Sequence, residues 1–180
     1  MVTIPNLLTM ARALGIPIFL YLIFNESYGW AVLTLMIGGA TDYLDGKLAR
    51  ALKQESRFGE LFDPAVDRLY IASVLIAMFV SSLLPVWLLL SIVARDIALG
   101  VLLLMLKLAK MPPFEVTYLG KAATFNLLYA LPLLLLTQTS DALSEISYIL
   151  GWAFAGWGIG LYLVTGIQYG MTGVRRLRKA

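Results

Sequence analysis

The chain has 180 residues, of which 60% are hydrophobic, with a mean hydropathy of +0.83 and a formal charge of +3. Soluble globular domains use nearer 45 to 50% apolar residues, so this composition predicts an integral membrane protein. At roughly 20 residues per crossing, the length allows about six transmembrane helices and leaves no room for a second soluble domain, so residues 1–180 are expected to form a single membrane-embedded domain. Cysteine and histidine are both absent, which excludes disulfides, thiolate metal sites, phosphohistidine, histidine general bases and the usual zinc ligands. Proton transfer would have to fall to a carboxylate, Tyr or Lys. The positive charge is not gathered into an extended basic face, so a membrane surface rather than nucleic acid is the expected partner. No cleavable signal peptide is expected, because the N-terminus lacks a basic leader and Arg12 interrupts the apolar run.

Residues 1–24 place Pro5 and Asn6 at a helix start, with Thr9 and Arg12 on nearby turns, and predict an interfacial turn leading into span one. Asn6 could serve only as a cap and Arg12 could simply reach the interface. Residues 25–29 form a short polar turn, and Trp30 suits an interfacial anchor opening span two. The apolar part of that span is too short to cross alone, so its helix must continue past Asp42 toward Arg50. Lys53 to Arg57 make the next turn, and span three is expected from about Phe58 to Leu84.

Between these two spans lies the stretch TDYLDGKLARALKQESRFGELFDPAVDRL, which puts Asp42, Asp45, Asp63 and Asp67 into apolar company. A carboxylate at hydrocarbon depth costs roughly 2.5 to 3.5 kcal/mol on insertion scales, so a cluster needs a strong compensating partner. Residues three and four apart share a helix face, so Asp42 pairs with Asp45 and Asp63 with Asp67, and two facing helices would converge all of them. Hard cations such as Mg²⁺, Mn²⁺ or Ca²⁺ take oxygen ligands and would remove the repulsion. Gly46 and Ala49 leave bare backbone where a ligand could come close, and Arg50 offers a fork of donors suited to phosphate.

Pro85 and Trp87 mark the following turn. Span four, 86–110, carries Arg95 and Asp96 near its middle; adjacent helix positions diverge by about 100°, so these two are not expected to pair with each other. Arg95 is expected to point into the bundle, as a counter-charge or as an anchor for an anionic acceptor. A basic loop with Lys107, Lys110 and Lys121 precedes span five at 117–136, where Pro132 should kink the helix. Span six is expected from about Ile146 to Gly170, and the chain closes on Arg175, Arg176, Arg178 and Lys179. Lys and Arg gather in 47–57, 107–121 and 175–179, whereas 25–29, 81–85 and 138–145 have none. The positive-inside rule therefore puts both termini and the acidic stretch on the cytoplasmic side. The terminal basic run reads first as a topology signal meeting anionic lipid.

The pattern D-x-x-D-G-x-x-A-R, eight residues, then G-x-x-x-D-x-x-x-D is complete as Asp42, Asp45, Gly46, Ala49, Arg50, Gly59, Asp63 and Asp67, and it resembles the signature of the CDP-alcohol phosphotransferases. The opening I-P-N-L-L-T-x-A-R is similar to the same family. The resemblance implies that a CDP-linked alcohol, usually CDP-diacylglycerol, is attacked by an acceptor hydroxyl with loss of CMP. It implies a two-metal site of Mg²⁺ or Mn²⁺ on Asp42, Asp45, Asp63 and Asp67, with Asp67 as the base. It also implies a donor pocket from Asn6, Thr9, Gly46, Ala49, Arg50, Ser56 and Gly59, and a homodimer in a bacterial cell membrane. Within the family the chain resembles the phosphatidylglycerophosphate synthase and cardiolipin synthase branch, through its opening and the run L-F-D-P-A-V-D-R. The Arg95-Asp96 pair and its surroundings lean toward phosphatidylglycerol as acceptor, with glycerol 3-phosphate the alternative. Arg95, Lys121 and Arg175 are the candidate acceptor-binding residues. The phospholipase D type of cardiolipin synthase needs histidine and is excluded. A divalent-cation transporter would also bury carboxylates, but it gains nothing from Arg50. A silent scaffold would be expected to have a degraded motif.

Overall fold

Apolar runs bounded by short polar turns fold here as six α-helices, with no strand among the described residues. They are α1 (Ile4–Phe24), α2 (Tyr28–Leu52), α3 (Arg57–Val80), α4 (Val86–Leu108), α5 (Tyr118–Leu136) and α6 (Leu143–Leu177). The structure is a computed structural model that describes residues 4–52, 57–112, 117–139 and 143–178, with side chains described at 7–42, 44, 65–112, 117–139 and 143–178. The all-α expectation holds. By length and composition α1, α4, α5 and α6 can each cross a membrane, as fits an integral membrane protein; among the described residues α2 and α3, which carry the acidic motif, do not join them.

Three helix ends share one device. Glu26, Ser82 and Lys110 have φ of 55°, 58° and 54°. Each is followed by an amide that bonds back across six residues: Ser27 to Leu22, Leu83 to Met78 and Met111 to Leu106, all at 2.9 Å. This left-handed closure satisfies carbonyls that the helix end would otherwise orphan, and here it is made without glycine. It ends α3 at Val80, earlier than the expected Leu84. At the other extreme α6 runs 35 residues, about 52 Å at 1.5 Å per residue, and so outreaches the roughly 30 Å hydrocarbon layer. Its end passes the expected Gly170 and takes in Arg175 and Arg176. Trp87, expected in a turn, lies in the first turn of α4, and α5 continues through Pro132 as one helix.

The helices group into two compact units. One comprises α1, α2, α3 and the end of α5 from Leu135; the other comprises α4, α5 up to Leu134, and α6 from Glu145. In the first, α1 packs against both α2 and α3. Its buried positions Thr9, Arg12, Ile16, Phe19 and Ile23 recur every three or four residues, which is the spacing of one helix face. Between α2 and α3 the contact is set by Gly38: a Cβ there would lie 2.8 Å from Cζ of Tyr70. The Tyr70 hydroxyl donates to the Thr34 carbonyl at 3.2 Å.

Gly38→Ala is therefore expected to destabilise the protein by about 1–3 kcal/mol, as overpacking does. Tyr70 stands one turn from Asp67, so activity should fall with stability. Thermal unfolding in detergent micelles measures the first effect. A Gly38→Ala/Tyr70→Leu double variant that regains no stability would show that the contact has been misread.

In the second unit the buried face of α6 starts with the small residues Ser147, Gly151, Ala155 and Gly158, continues through Ile159, Tyr162, Thr165 and Tyr169, and ends on Gly173. Small residues let helices approach where lipid offers no hydrophobic drive for association. Trp87 stacks on Trp152 with ring centroids 6.3 Å apart. Further along, Arg95 lies over Gly166 and Leu102 over Gly173, so α4 runs parallel to α6. Leu134 meets Gly151 and Leu127 meets Gly158, so α5 runs antiparallel to it.

Candidate functional site

In the first unit the acidic motif is organised by a residue of α1. Arg12 has a side chain only 2% exposed, and its Nη1 forms an ion pair with Oδ1 of Asp42 on α2 at 3.0 Å and another with Oδ1 of Asp67 on α3. One nitrogen thus draws together carboxylates that stand 25 positions apart in the sequence. Both carboxylates remain accessible, Asp42 at 55% and Asp67 at 38%. A buried charge is tolerated when opposite charges and hydrogen bonds compensate it, and here two carboxylates do so.

The expected convergence of the two motif helices is therefore seen for one aspartate from each. Asp42 and Asp67 are brought together; the side chains of Asp45, Asp63, Gly46, Ala49, Arg50 and Gly59, like that of Asn6, lie outside the described residues, as does Ser56 altogether. Thr9, which the resemblance assigns to the donor pocket, is fully buried one turn before Arg12. Among the described residues no three acidic side chains group as a metal site. The donor set that is described still fits a hard divalent cation, because two oxygen ligands from different helices converge on one locus and remain open to solvent.

The second unit places the candidate acceptor residues. Arg95 corrects a sequence expectation: its Nη1 donates to Oδ1 of its own neighbour Asp96 at 3.0 Å. Helix geometry separates the two backbone positions, but the long arginine stem curls back to reach the adjacent carboxylate. Asp96 also accepts a 2.5 Å hydrogen bond from the Tyr162 hydroxyl, and the Arg95 guanidinium lies over the Tyr162 ring, 3.9 Å from its centroid. The Arg95 Nε is enclosed with no hydrogen-bond partner among the described residues. The stem fits because position 166 is glycine, where a Cβ would come within 2.9 Å of Arg95 Cγ.

Tyr169 links this cluster to a groove. Its ring centroid is 6.0 Å from the Arg95 guanidinium carbon, and its hydroxyl accepts from the Thr117 amide at 2.8 Å. Thr117, Gln168, Tyr169, Thr172, Arg175 and Arg176 line a groove of about 520 Å³, in which Arg176 donates to the Pro112 carbonyl at 3.1 Å. Arg95 thus lies near the Tyr169 ring, and Arg175 shares the groove that Tyr169 lines. Lys121 stands apart, exposed beside the Tyr118 ring at 5.6 Å. Nothing in the sequence marks Tyr162 and Tyr169, and Arg12 reads there as part of the family-like opening or as an interfacial charge, with no link to Asp42 and Asp67; the signal for Arg12 is its place on the Thr9–Ile23 face.

Comparison with known proteins identifies the family. A model of the CDP-alcohol phosphatidyltransferase family matches residues 2–159. The chain is 50% identical over 184 residues to a protein of Streptomyces coelicolor named cardiolipin synthase (CMP-forming), covering 99% of this chain and 85% of that one. It is 40% identical over 168 residues to a Mycobacterium tuberculosis protein provisionally named a cardiolipin synthase, covering 93% of this chain and 80% of the relative. A shorter match, 46% over 78 residues, covers 42% of this chain and 40% of a Pseudomonas fluorescens CDP-diacylglycerol–glycerol-3-phosphate 3-phosphatidyltransferase. With the family model spanning most of the sequence and the Streptomyces relative matching it nearly end to end, the chain belongs to the CDP-alcohol phosphatidyltransferase family.

Proposed function

We propose that this protein is a metal-dependent CDP-diacylglycerol phosphatidyltransferase that uses phosphatidylglycerol as acceptor and makes cardiolipin. The observation that carries the reading is the convergence of Asp42 and Asp67, from two separate helices, on one accessible locus. The cardiolipin synthase names of the two long relatives support the acceptor. In the proposed reaction the acceptor hydroxyl oxygen attacks the phosphorus that carries diacylglycerol, the bond from that phosphorus to the CMP oxygen breaks, and CMP leaves. Asp67 accepts the hydroxyl proton, as a carboxylate must in a chain without histidine. Arg50 binds donor phosphate as a bidentate fork, and Gly46, Ala49 and Gly59 let the nucleotide approach the backbone. Asp42, Asp45, Asp63 and Asp67 would hold two divalent cations, Mg²⁺ or Mn²⁺, which supply charge neutralisation of the diphosphate.

The proposed setting is a bacterial cell membrane crossed by all six helices, with both termini and the motif cytoplasmic, and with the protein a homodimer. The distribution of Lys and Arg among the loops supports that orientation. Arg95, near the Tyr169 ring, and Arg175, which lines the groove with Tyr169, form the proposed site for the acceptor phosphodiester, and Lys121, which stands apart from them, is the outlying candidate.

Purified protein incubated with Mn²⁺ and CDP-diacylglycerol should convert phosphatidylglycerol to cardiolipin, identified by mass, with one CMP released per product. Phosphatidylglycerophosphate from glycerol 3-phosphate, with no cardiolipin from phosphatidylglycerol, would reverse the acceptor and leave the donor chemistry standing.

A further inference from the structure

We infer that Arg12 is a built-in counter-cation for the metal site: in the metal-free protein its guanidinium latches Asp42 to Asp67, and a divalent cation binds by displacing it. The inference rests on the metal-dependent reading above. The rest of the Arg12 helix face, Thr9, Ile16, Phe19 and Ile23, is buried, and α1 packs on both motif helices. Arg12 therefore approaches the carboxylates from inside the protein, while their exposed sides face outward. A cation arriving from water meets two carboxylates whose Oδ1 atoms are already engaged by Nη1.

Two consequences follow from elementary electrostatics. A guanidinium held against the ligand oxygens repels an incoming divalent ion, so metal affinity is set below that of the bare carboxylates. The same contact prevents the carboxylates from separating when no metal is present, so the helices stay registered. The apparent affinity for metal is reduced by the fraction of molecules whose latch is closed. Arg12 is on this account a positioning residue, touching ligand side chains and not substrate. A merely structural arginine would stabilise metal-free and metal-loaded protein alike.

The test measures Mn²⁺ binding to the full chain in detergent micelles by electron paramagnetic resonance, without lipid donor, alongside thermal unfolding with and without Mn²⁺. Arg12→Gln should bind Mn²⁺ tighter by roughly tenfold, since one unit charge close to the site is lost. Its melting temperature should drop without metal and largely recover with it. Arg12→Lys keeps the charge but loses the planar fork, and should bind about threefold tighter than the parent. Arg12→Gln that folds only with Mn²⁺ would support the latch. If it folds under neither condition, the lysine variant decides. Unchanged or weaker Mn²⁺ binding in a folded variant overturns the inference, and so does equal loss of melting temperature with and without metal. A parent protein that binds no Mn²⁺ would instead remove the metal-dependent reading itself.

Discussion

Asp67→Asn is expected to lower the rate of phosphatidyl transfer at least a thousandfold at saturating Mn²⁺, while CDP-diacylglycerol binding weakens only a few-fold. General-base catalysis contributes about 10²- to 10⁴-fold, and loss of a carboxylate that also faces the cation adds to it. Asparagine keeps the shape of the side chain and an oxygen that can accept from Arg12, so the hold of α1 on α3 should survive. What it lacks is a lone pair basic enough to take the acceptor proton. Asp42→Asn and Arg50→Ala should behave differently, raising the donor dissociation constant, because Asp42 is the proposed metal ligand and Arg50 the proposed phosphate fork. Initial rates of CMP release together with equilibrium binding of CDP-diacylglycerol separate the two classes. Near-normal turnover by Asp67→Asn would mean that the proton goes elsewhere.

The parts of the molecule legible in the sequence are those where burial costs force a pattern. Apolar runs broken by Pro85, by Asn25 to Ser27 and by the basic segments become helices, because a backbone in lipid must satisfy its own hydrogen bonds. Carboxylates repeated at helical spacing in such a chain call for a shared positive partner, and Asp42 and Asp67 do converge, on the guanidinium of Arg12. Helix ends were less legible, because the closures at Glu26, Ser82 and Lys110 use residues with no strong preference for the left-handed region. The extension of α6 through Arg175 and Arg176 was hidden too, since a hydropathy pattern ends where the apolar layer ends and the helix does not. Arg95 shows a different blindness. Backbone angles said that it could not meet Asp96, but side-chain length and the bare backbone at Gly166 decide that contact. Tyr162 and Tyr169 were invisible because tyrosine in a membrane span carries no spacing signature; only the folded pairing of α4 with α6 gives the Tyr162 hydroxyl its carboxylate.

Chelation of divalent cations is expected to abolish turnover entirely, and Mn²⁺ or Mg²⁺ to restore it. Without metal, the motif presents four carboxylates to a donor whose diphosphate is itself anionic. Each pair of like charges about 4 Å apart costs on the order of 1 kcal/mol in water and about 4 kcal/mol at the effective dielectric near a protein surface. Arg12 is committed to Asp42 and Asp67, so it offsets part of the charge within the motif and cannot also neutralise the donor. Arg50 alone would leave the site strongly repulsive. Protonation would be the other escape, but a protonated Asp67 could not act as base. The measurement is CMP release from CDP-diacylglycerol in excess EDTA, then after dialysis into Mn²⁺ or Mg²⁺, with circular dichroism showing that the helices persist throughout. The Arg12 latch makes that control informative, because it predicts that metal-free protein stays folded while inactive. Full-rate CMP release in excess EDTA would require the diphosphate to be neutralised by side chains alone, and the carboxylate motif would then need another role.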